Sequence, residues 1–393
     1  MQSNQQLSET HVMGFIIGTE LLGSERGNIE ALRAMHANGA CVSVVVSNRK
    51  PKGGDVGKLC RELGFNTLEI PFGSHFSWEW IKHDRGYGWR QLKRVFSNSW
   101  LVHKLIRKHK PDLFLVGNTL AYAFIALALT WHREPLIFRV GDKPINNSRF
   151  QFFLWKKLAK RSQSIIAISH FIRDHIEKNL PKKSNITVIH NTPPYRPPET
   201  DRSKYKTLHQ SKRQSQGVFV GNITHQKGVE DLVDALIELN HNDFGCWILG
   251  GGEHSAKMEA HLRTKIANSN TRTRIDMLGY TTDPRPFLKA ADWHIAPSRE
   301  NEALGNVVQE AKAMGTPSIV TPVGGLPETV SHQVTGWVLD GVGAEEIKKQ
   351  LLTMTPQANH LSSDTVTEEF QEKYSLAHFQ EKWSAVVHSV HHS

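Results

Sequence analysis

Apolar residues in this chain fall into short solid blocks separated by segments with helical spacing, and the alternation runs twice. "HVMGFIIG" is apolar almost throughout and short enough for a buried strand. After the loop "TELLGSERGN", the stretch "IEALRAMHANG" puts Ile29, Leu32 and Met35 on one helical face, with Gly39 as a stop. "CVSVVVS" is β-branched and apolar on both faces, as a central parallel strand requires. "PDLFLVGN", "PLIFRVG" and "SIIAISH" predict three more strands of this kind, with helical stretches between them. Residues 191–216 break the rhythm with Pro, Lys, Ser and Gln and carry neither period. The pattern then restarts. "GVFVG", "CWILGGG", "RIDMLGY", "DWHIAPS" and "TPSIVTP" read as strands. Val229, Leu232, Val233 and Leu236 stand at i, i+3, i+4 and i+7, an amphipathic helix. Met258, Leu262 and Ile266 line the next one, and "PFLKAA" and the stretch from Pro297 separate the last three strands.

Strand–helix alternation of this sort predicts doubly wound parallel sheets. The expected organisation is an N-terminal Rossmann-like domain over 1–195, a linker over 196–216 and a C-terminal Rossmann-like domain over 217–365. A helical segment over 366–393 packs back on the first domain. Two such domains hold a ligand in the cleft between them, at the carboxyl ends of their strands.

Length agrees, since 393 residues exceed one ordinary core. The longest apolar run, "LAYAFIALALTW", is shorter than the roughly 20 residues of a spanning helix. "MQSNQQLSETH" has no basic region followed by an apolar one, so no secretory signal is expected and the cytoplasm is the expected location. Cys41, Cys60 and Cys246 stand far apart, which predicts buried free thiols rather than a disulfide or a metal site. Charge alters the picture more. Residues 1–196 carry 29 Lys and Arg against 14 Asp and Glu, a net +15, whereas residues 197–393 carry 19 against 24, a net −5. A basic first half fits an anionic partner, such as a membrane surface, or a solvated face with no partner. No nucleic-acid module accompanies it.

Chemistry concentrates in the second half. In "PSRENEALGNVVQEAKAMGTP", Glu302 falls on a loop after a strand, and Glu310 lies inside the following helix on the face of Asn306. The N–H groups of Leu304, Gly305, Asn306 and Val307 form a helix start that suits a phosphate. In "GNITHQKGVEDL" a loop bearing Gly221, Asn222 and Gly228 sets Lys227 just ahead of a helix, within reach of a diphosphate. It is no Walker loop, because the G-x-x-x-x-G-K-[ST] order is absent. "TPVGGLPETV" supplies a tight turn at Gly324 and Gly325 and a helix start at Pro327 and Glu328. In the first half, Gly23 with Ser24 as N-cap leaves room for a ligand, and "FRVGDKP" offers Arg139 and Asp142.

The ordered stretches "GNITHQKGVEDLVDAL", "ILGGGEH", "LGYTTD", "APSRENEALGNVVQEAKAMGTPSIVTPVGGLPETV" and "TGWVLD" resemble the GT-B-fold glycosyltransferases of family 4. "GSERGNIEALRAMHANGACVSVV", "KPDLFLVGN", "AISHFIRDHI" and "VIHNTP" carry the likeness more loosely into the first half. The resemblance implies retaining transfer of a sugar from a nucleoside-diphosphate sugar to a hydroxyl acceptor, without a bound metal or cofactor. It makes Glu302 and Glu310 the E-x7-E pair, the first near the donor sugar and the second on the ribose, with Lys227 neutralising the diphosphate. Base recognition falls near Tyr280 in "LGYTTD". Asn222 stands where the family usually has arginine, and Arg299 is a replacement cation. A histidine common after a first-domain strand is also missing, with Arg139 and Asp142 in its place; His170 reads as helix-start structure. Gly23, Ser24 and Asp142 mark the acceptor side. "FGSHFSWEWIKHDRGYGWRQLKRVF" interleaves Trp78, Trp80, Trp89 and Phe96 with Lys82, Arg85, Arg90, Lys93 and Arg94. That mixture fits a lipid-headgroup boundary, a sugar-stacking surface or a core with a solvated reverse side. The expected setting is polysaccharide, lipopolysaccharide or glycolipid synthesis, peripheral on the inner membrane face. A non-catalytic nucleotide-sugar binder and a sugar-nucleotide epimerase of the same fold are the alternatives.

Overall fold

The computed structural model describes residues 7, 10–19, 21, 23–49, 55–72, 85–117, 119–143, 149–180, 185–193, 208, 213–252, 255–354 and 361–391. The chain divides into two compact units, one formed by 1–194 with 376–393 and the other by 195–375. Trp78, Trp80 and Lys82, and most of the expected linker, lie outside the described residues.

The N-terminal unit is built on a parallel sheet in the order β3-β2-β1-β4-β5-β6-β7. Its strands are β1 (His11–Ile16), β2 (Cys41–Ser47), β3 (Asn66–Ile70), β4 (Leu113–Val116), β5 (Leu136–Val140), β6 (Ser164–Ala167) and β7 (Ile186–Val188). The crossover helices are α1 (Gly23–Ala37), α2 (Val56–Glu62), α3 (Arg85–His109), α4 (Thr119–Trp131), α5 (Arg149–Arg161) and α6 (His170–Glu177). Ile29, Leu32 and Met35 are buried as the spacing predicts, although α1 starts six residues earlier, at Gly23. Helices α3 and α5 both pack on α4, while α1 packs against a helix from the end of the chain.

The C-terminal unit repeats the plan in the order β10-β9-β8-β11-β12-β13. Its strands are β8 (Ser215–Val220), β9 (Phe244–Leu249), β10 (Arg274–Gly279), β11 (Trp293–Ala296), β12 (Ser318–Val320) and β13 (Gly336–Val338). The helices are α7 (Val229–Leu239), α8 (Ala256–Asn268), α9 (Arg285–Ala290), α10 (Asn306–Ala313), α11 (Ala344–Thr353) and α12 (Ser363–Lys373). Val229, Leu232, Val233 and Leu236 are fully buried and pack with Phe219, Trp293, Ile295 and Ile319. In each sheet the winding reverses direction once, between β1 and β4 and between β8 and β11. Crevices at such reversals open at the carboxyl ends of the strands.

Three expectations shift. Ser215 and Gln216, assigned to the linker, already belong to β8 and pair with Phe244 and Gly245. The segment 366–393 is divided. Helix α12 stays with the C-terminal unit, while α13 (Leu376–His391) inserts Phe379, Trp383, Val387 and Val390 into the N-terminal core. Cys60 and Cys246 are buried, but Cys41 opens its strand with an exposed side chain. Among the described residues no helix is long and apolar enough to cross a membrane.

Candidate functional site

Lys227 and Glu302 come from loops on the two strands that flank the reversal. After β8 the chain runs through Gly221 and Asn222 into a 3-10 turn, His225–Lys227, and starts α7 at Gly228. Gly228 has φ +66°, and a Cβ there would lie 1.8 Å from the carbonyl oxygen of Pro297. The first loop is thus pressed against the loop after β11, and the Arg299 N–H donates to the Gln226 carbonyl at 2.9 Å. This contact carries Lys227 across the seam, where its Nζ lies 2.8 Å from Oε1 of Glu302. The same Oε1 accepts from the Ser298 hydroxyl. Oε2 of Glu302 has no hydrogen-bond partner among the described residues. A second clamp holds Glu302 from behind. The Gly325 N–H donates to the Glu302 carbonyl at 2.8 Å, and the Gly324 N–H donates to Oδ1 of Asn301 at 2.9 Å. The "VGG" turn therefore seats the glutamate loop in addition to starting a short 3-10 helix, Leu326–Thr329.

Just beyond lies the start of α10, with Gly305 as its left-handed N-cap at φ +89°. The Val308 N–H closes back on the Gly305 carbonyl at 3.0 Å. Asn306 and Val307 occupy the first turn, where backbone donors and the helix dipole favour an anion. Leu304 is buried beneath it, and Glu310 sits half-buried one turn further on. Gly221 follows β8, Asn222 is exposed beside it, and Tyr280 stands exposed after Gly279 at the end of β10. The structure therefore places Lys227, Glu302, Gly305, Asn306, Gly221 and Tyr280 along one edge of one sheet.

Arg299 is held by the first turn of α7. Its Nε donates to Oδ2 of Asp231 at 2.6 Å, its Nη2 donates to Oδ1, and Nη1 lies 3.2 Å from Nε2 of His225. Asp231 is buried in the first turn of α7, so the guanidinium is already matched by a carboxylate. Hydrogen bonding to Asp231 raises the Arg299 pKa. Arg299 thereby braces the two loops. Ser298 and Asp231, which sequence reasoning missed, carry no spacing signal, because the first contact forms inside an irregular loop and the second joins a loop to a helix 68 residues away.

The anchor of α10 is a further addition. Lys312, fully buried, donates to Oε2 of Glu369 on α12 at 2.6 Å. Glu369 also accepts from Ser331 at 2.7 Å, from Lys373 at 3.0 Å and from Thr335. Burial alone would raise the Glu369 carboxyl, but these donors outweigh it and hold the pKa at about 2. On β11, His294 is fully buried and burial pulls its pKa down to about 3. It is therefore a neutral core residue, with Nδ1 3.0 Å from the Ser318 hydroxyl.

In the N-terminal unit, Arg139 is buried at the end of β5 and donates to Asn28 at 3.0 Å and to Asn191 at 2.6 Å. Burial pulls its pKa to about 10, against the opposing pull of Asp142 and Glu25. Asp142 is exposed two residues past β5. Ser24 is corrected: it lies inside α1 rather than capping it, and its hydroxyl donates to Glu25 at 2.7 Å. Gly23 is the first residue of that helix. Ser169, just before His170, caps α6 by accepting from the Ile172 N–H at 3.1 Å.

Comparison with known proteins places both units. Residues 23–192 match the model described as Glycosyltransferase Family 4, and residues 214–355 match that described as Glycosyl transferases group 1. The lipopolysaccharide core biosynthesis mannosyltransferase LpsB of Rhizobium meliloti is 30% identical over 205 residues, 49% of this chain and 55% of its own. An uncharacterized glycosyltransferase of Methanocaldococcus jannaschii is 27% identical over 212 residues, 53% of this chain and 54% of its own. The chain thus spans about half the length of these curated relatives. A glycosyltransferase structure from Rickettsia africae superposes with a TM-score of 0.79 at 21% identity, covering 97% of this chain and 98% of that one. Anabaena HepE, solved in complex with UDP and glucose, gives 0.75 at 17% identity, covering 96% of this chain and 99% of its own. With both halves matched and the two parallel sheets in place, the chain belongs to glycosyltransferase family 4 and has the GT-B fold.

Proposed function

We propose that this protein transfers a sugar, with retention of configuration, from a nucleoside-diphosphate sugar to a hydroxyl acceptor. The observation that carries the reading is the Lys227–Glu302 pair at the sheet's reversal point, beside the start of α10. A diphosphate on that helix start draws the Lys227 ammonium from Glu302 onto the phosphates and frees the carboxylate for the donor sugar. The bond from sugar C1 to the diphosphate oxygen breaks first, leaving an oxocarbenium-like sugar. The acceptor oxygen bonds to C1 from the same face, and its proton passes to a diphosphate oxygen. Leaving-group charge is met by Lys227 and the α10 N–H groups, so the reading calls for no metal or cofactor. Glu310 binds the ribose hydroxyls, Leu304, Gly305, Asn306 and Val307 the phosphates, and Tyr280 lies by the base. Gly23, Ser24 and Asp142 remain on the acceptor side.

HepE, crystallised with UDP and glucose, supports a nucleotide-sugar donor, and LpsB supports an acceptor of the cell-envelope glycolipid class. We assign the acceptor to the inner membrane face, with the basic N-terminal half turned toward it. A second reading, binding without transfer, is favoured by one observation: Asn222 is uncharged and Arg299 is neutralised by Asp231, which leaves a single lysine on the leaving group. Thermal-shift titration with UDP, GDP, ADP and their sugars tests the common part. A shift with one nucleotide is expected, and none with any of them overturns both readings. NMR of the product from that donor then decides. An inverted anomeric centre rejects retention, and an unconsumed donor across a mixed-acceptor screen leaves the binder.

A further inference from the structure

Helix α3 is built with its polarity reversed. Over residues 89–100, Gln91 and Asn98 are 1% exposed and Ser99 is fully buried, while Trp89 is 69% and Phe96 62% exposed. Leu92 and Trp100 are exposed as well. Trp89, Leu92, Phe96 and Trp100 are spaced by three, four and four residues, which aligns them in one stripe about 16 Å long. A soluble helix turns such a stripe inward, and this one turns it out.

The surroundings say what covers it. Among the described residues, every large apolar side chain that the N-terminal unit leaves exposed lies on α3, α4 or α5, with Trp131 and Phe153 completing the set. Helix α3 carries seven Lys and Arg and no Asp or Glu, and α5 carries five and none. Lys93 borders the stripe on the next turn, and the Lys104 ammonium stands 3.4 Å over the Trp100 ring. Indole and phenyl rings flanked by cations, on three helices that carry no acid, match the interface of an anionic bilayer. There aromatic rings settle at headgroup depth and ammonium groups meet phosphates. An acidic protein would leave several large rings without an apolar bed, and a second copy would set like charges face to face.

We infer that the outer stripe of α3, continued by α4 and α5, seats the N-terminal unit on an anionic phospholipid surface. The inference rests on the reading that the acceptor lies at a membrane face, and it assigns the residues that dock there. The test is sedimentation with vesicles of phosphatidylcholine alone or with about 30 mol % phosphatidylglycerol, at about 0.1 M and about 0.5 M NaCl. Wild type is compared with Trp89→Ser/Phe96→Ser/Trp100→Ser and with Lys93→Gln/Lys104→Gln. The expected result is wild-type binding to the anionic vesicles alone. The aromatic variant loses tenfold or more in affinity, roughly, at both salt concentrations. The charge variant loses roughly thirtyfold at the lower salt and little at the higher. None of these residues belongs to the sugar-transfer site, so the thermal shift with nucleotide stays at the wild-type value in both variants. If wild type itself shows no nucleotide shift, the transferase reading falls while the vesicle result stands on its own. The inference is overturned if wild type ignores anionic vesicles at low salt or if the aromatic variant binds like wild type. Light scattering that shows the stripe holding two copies together, with vesicle binding intact in the variant, overturns it too.

Discussion

Alanine at position 324 puts a methyl group where the backbone of Glu302 already runs. A Cβ on Gly324 would sit 2.1 Å from the Glu302 carbonyl oxygen and 2.6 Å from its nitrogen, and the residue's φ is +63°. The left-handed conformation alone costs a non-glycine residue about 1–2 kcal/mol. Relieving the overlap needs a displacement of roughly 1 Å between two backbones, an overpacking strain of about 1–3 kcal/mol. Gly324→Ala is therefore expected to lower stability by about 2–5 kcal/mol, within what a domain can lose and still fold. Because the atom struck belongs to Glu302, the shift also reaches the Lys227 pair, and a misplacement of about 1 Å costs on the order of a hundredfold in turnover. Gly343→Ala separates strain from collision: φ there is +114°, and a Cβ meets nothing within 4 Å. Urea unfolding monitored by circular dichroism and kcat for sugar transfer are measured on both variants. Gly343→Ala should lose stability and keep its kcat, whereas Gly324→Ala should lose both. A folded Gly324→Ala enzyme with kcat within about twofold of wild type would refute the claim that this turn positions Glu302.

Four further outcomes are expected. Lys227→Ala should lower kcat for transfer by about a hundredfold or more with the fold intact, and near-wild-type turnover would remove the lysine from the mechanism. Glu310→Ala should weaken the free nucleoside diphosphate by about tenfold in calorimetry, and unchanged affinity would reject the ribose contact. His294 has a folded pKa of about 3, below the ordinary 6.5, so its contribution is full above pH 6.5 and is lost as pH falls toward 3. His294→Leu should therefore flatten the stability curve, sparing about 2 kcal/mol of the loss between pH 7 and pH 5 in urea titrations. Glu369, held at about 2 from 4.5, contributes fully above pH 4.5 and loses that as pH falls toward 2. Glu369→Gln should cost about 3 kcal/mol at pH 7 by leaving buried Lys312 without a counter-charge, and it should remove that acid-side dependence.

The sequence reading succeeded where burial writes a pattern and failed where it does not. Except for β10, an edge strand whose "RIDMLG" is half-exposed, the strands it recovered are interior to their sheets and largely apolar. The three it did not assign, β3, β7 and β13, lie at sheet edges. There "NTLEI" mixes polar positions into a half-exposed strand, and the other two span three residues each. Lys227, Glu302 and the α10 start were legible because a strand end, a glycine and a helix start fall in a fixed order. The Arg299–Asp231 pair was not legible, because its partners stand 68 residues apart and no local spacing discloses an ion pair of that reach. Ser24 was misplaced for a smaller reason, since a helix that begins on glycine hides its first residue from a search for polar caps. The reversed face of α3 was invisible in composition, because aromatics and cations interleave identically whichever of them points inward.

Helix α13 has a consequence for how the protein is made. The hydrophobic interior of the N-terminal unit includes Phe379, Trp383, Val387 and Val390, which leave the ribosome after the whole of 195–375. During synthesis the first sheet must wait, with the face of α1 uncovered, while the second unit emerges and folds. At typical translation rates that wait is on the order of ten seconds or more. Chaperone demand should accordingly peak in the middle of translation rather than at its end, and a nonsense codon a few positions before Leu376 should prove more damaging to the first unit than to the second.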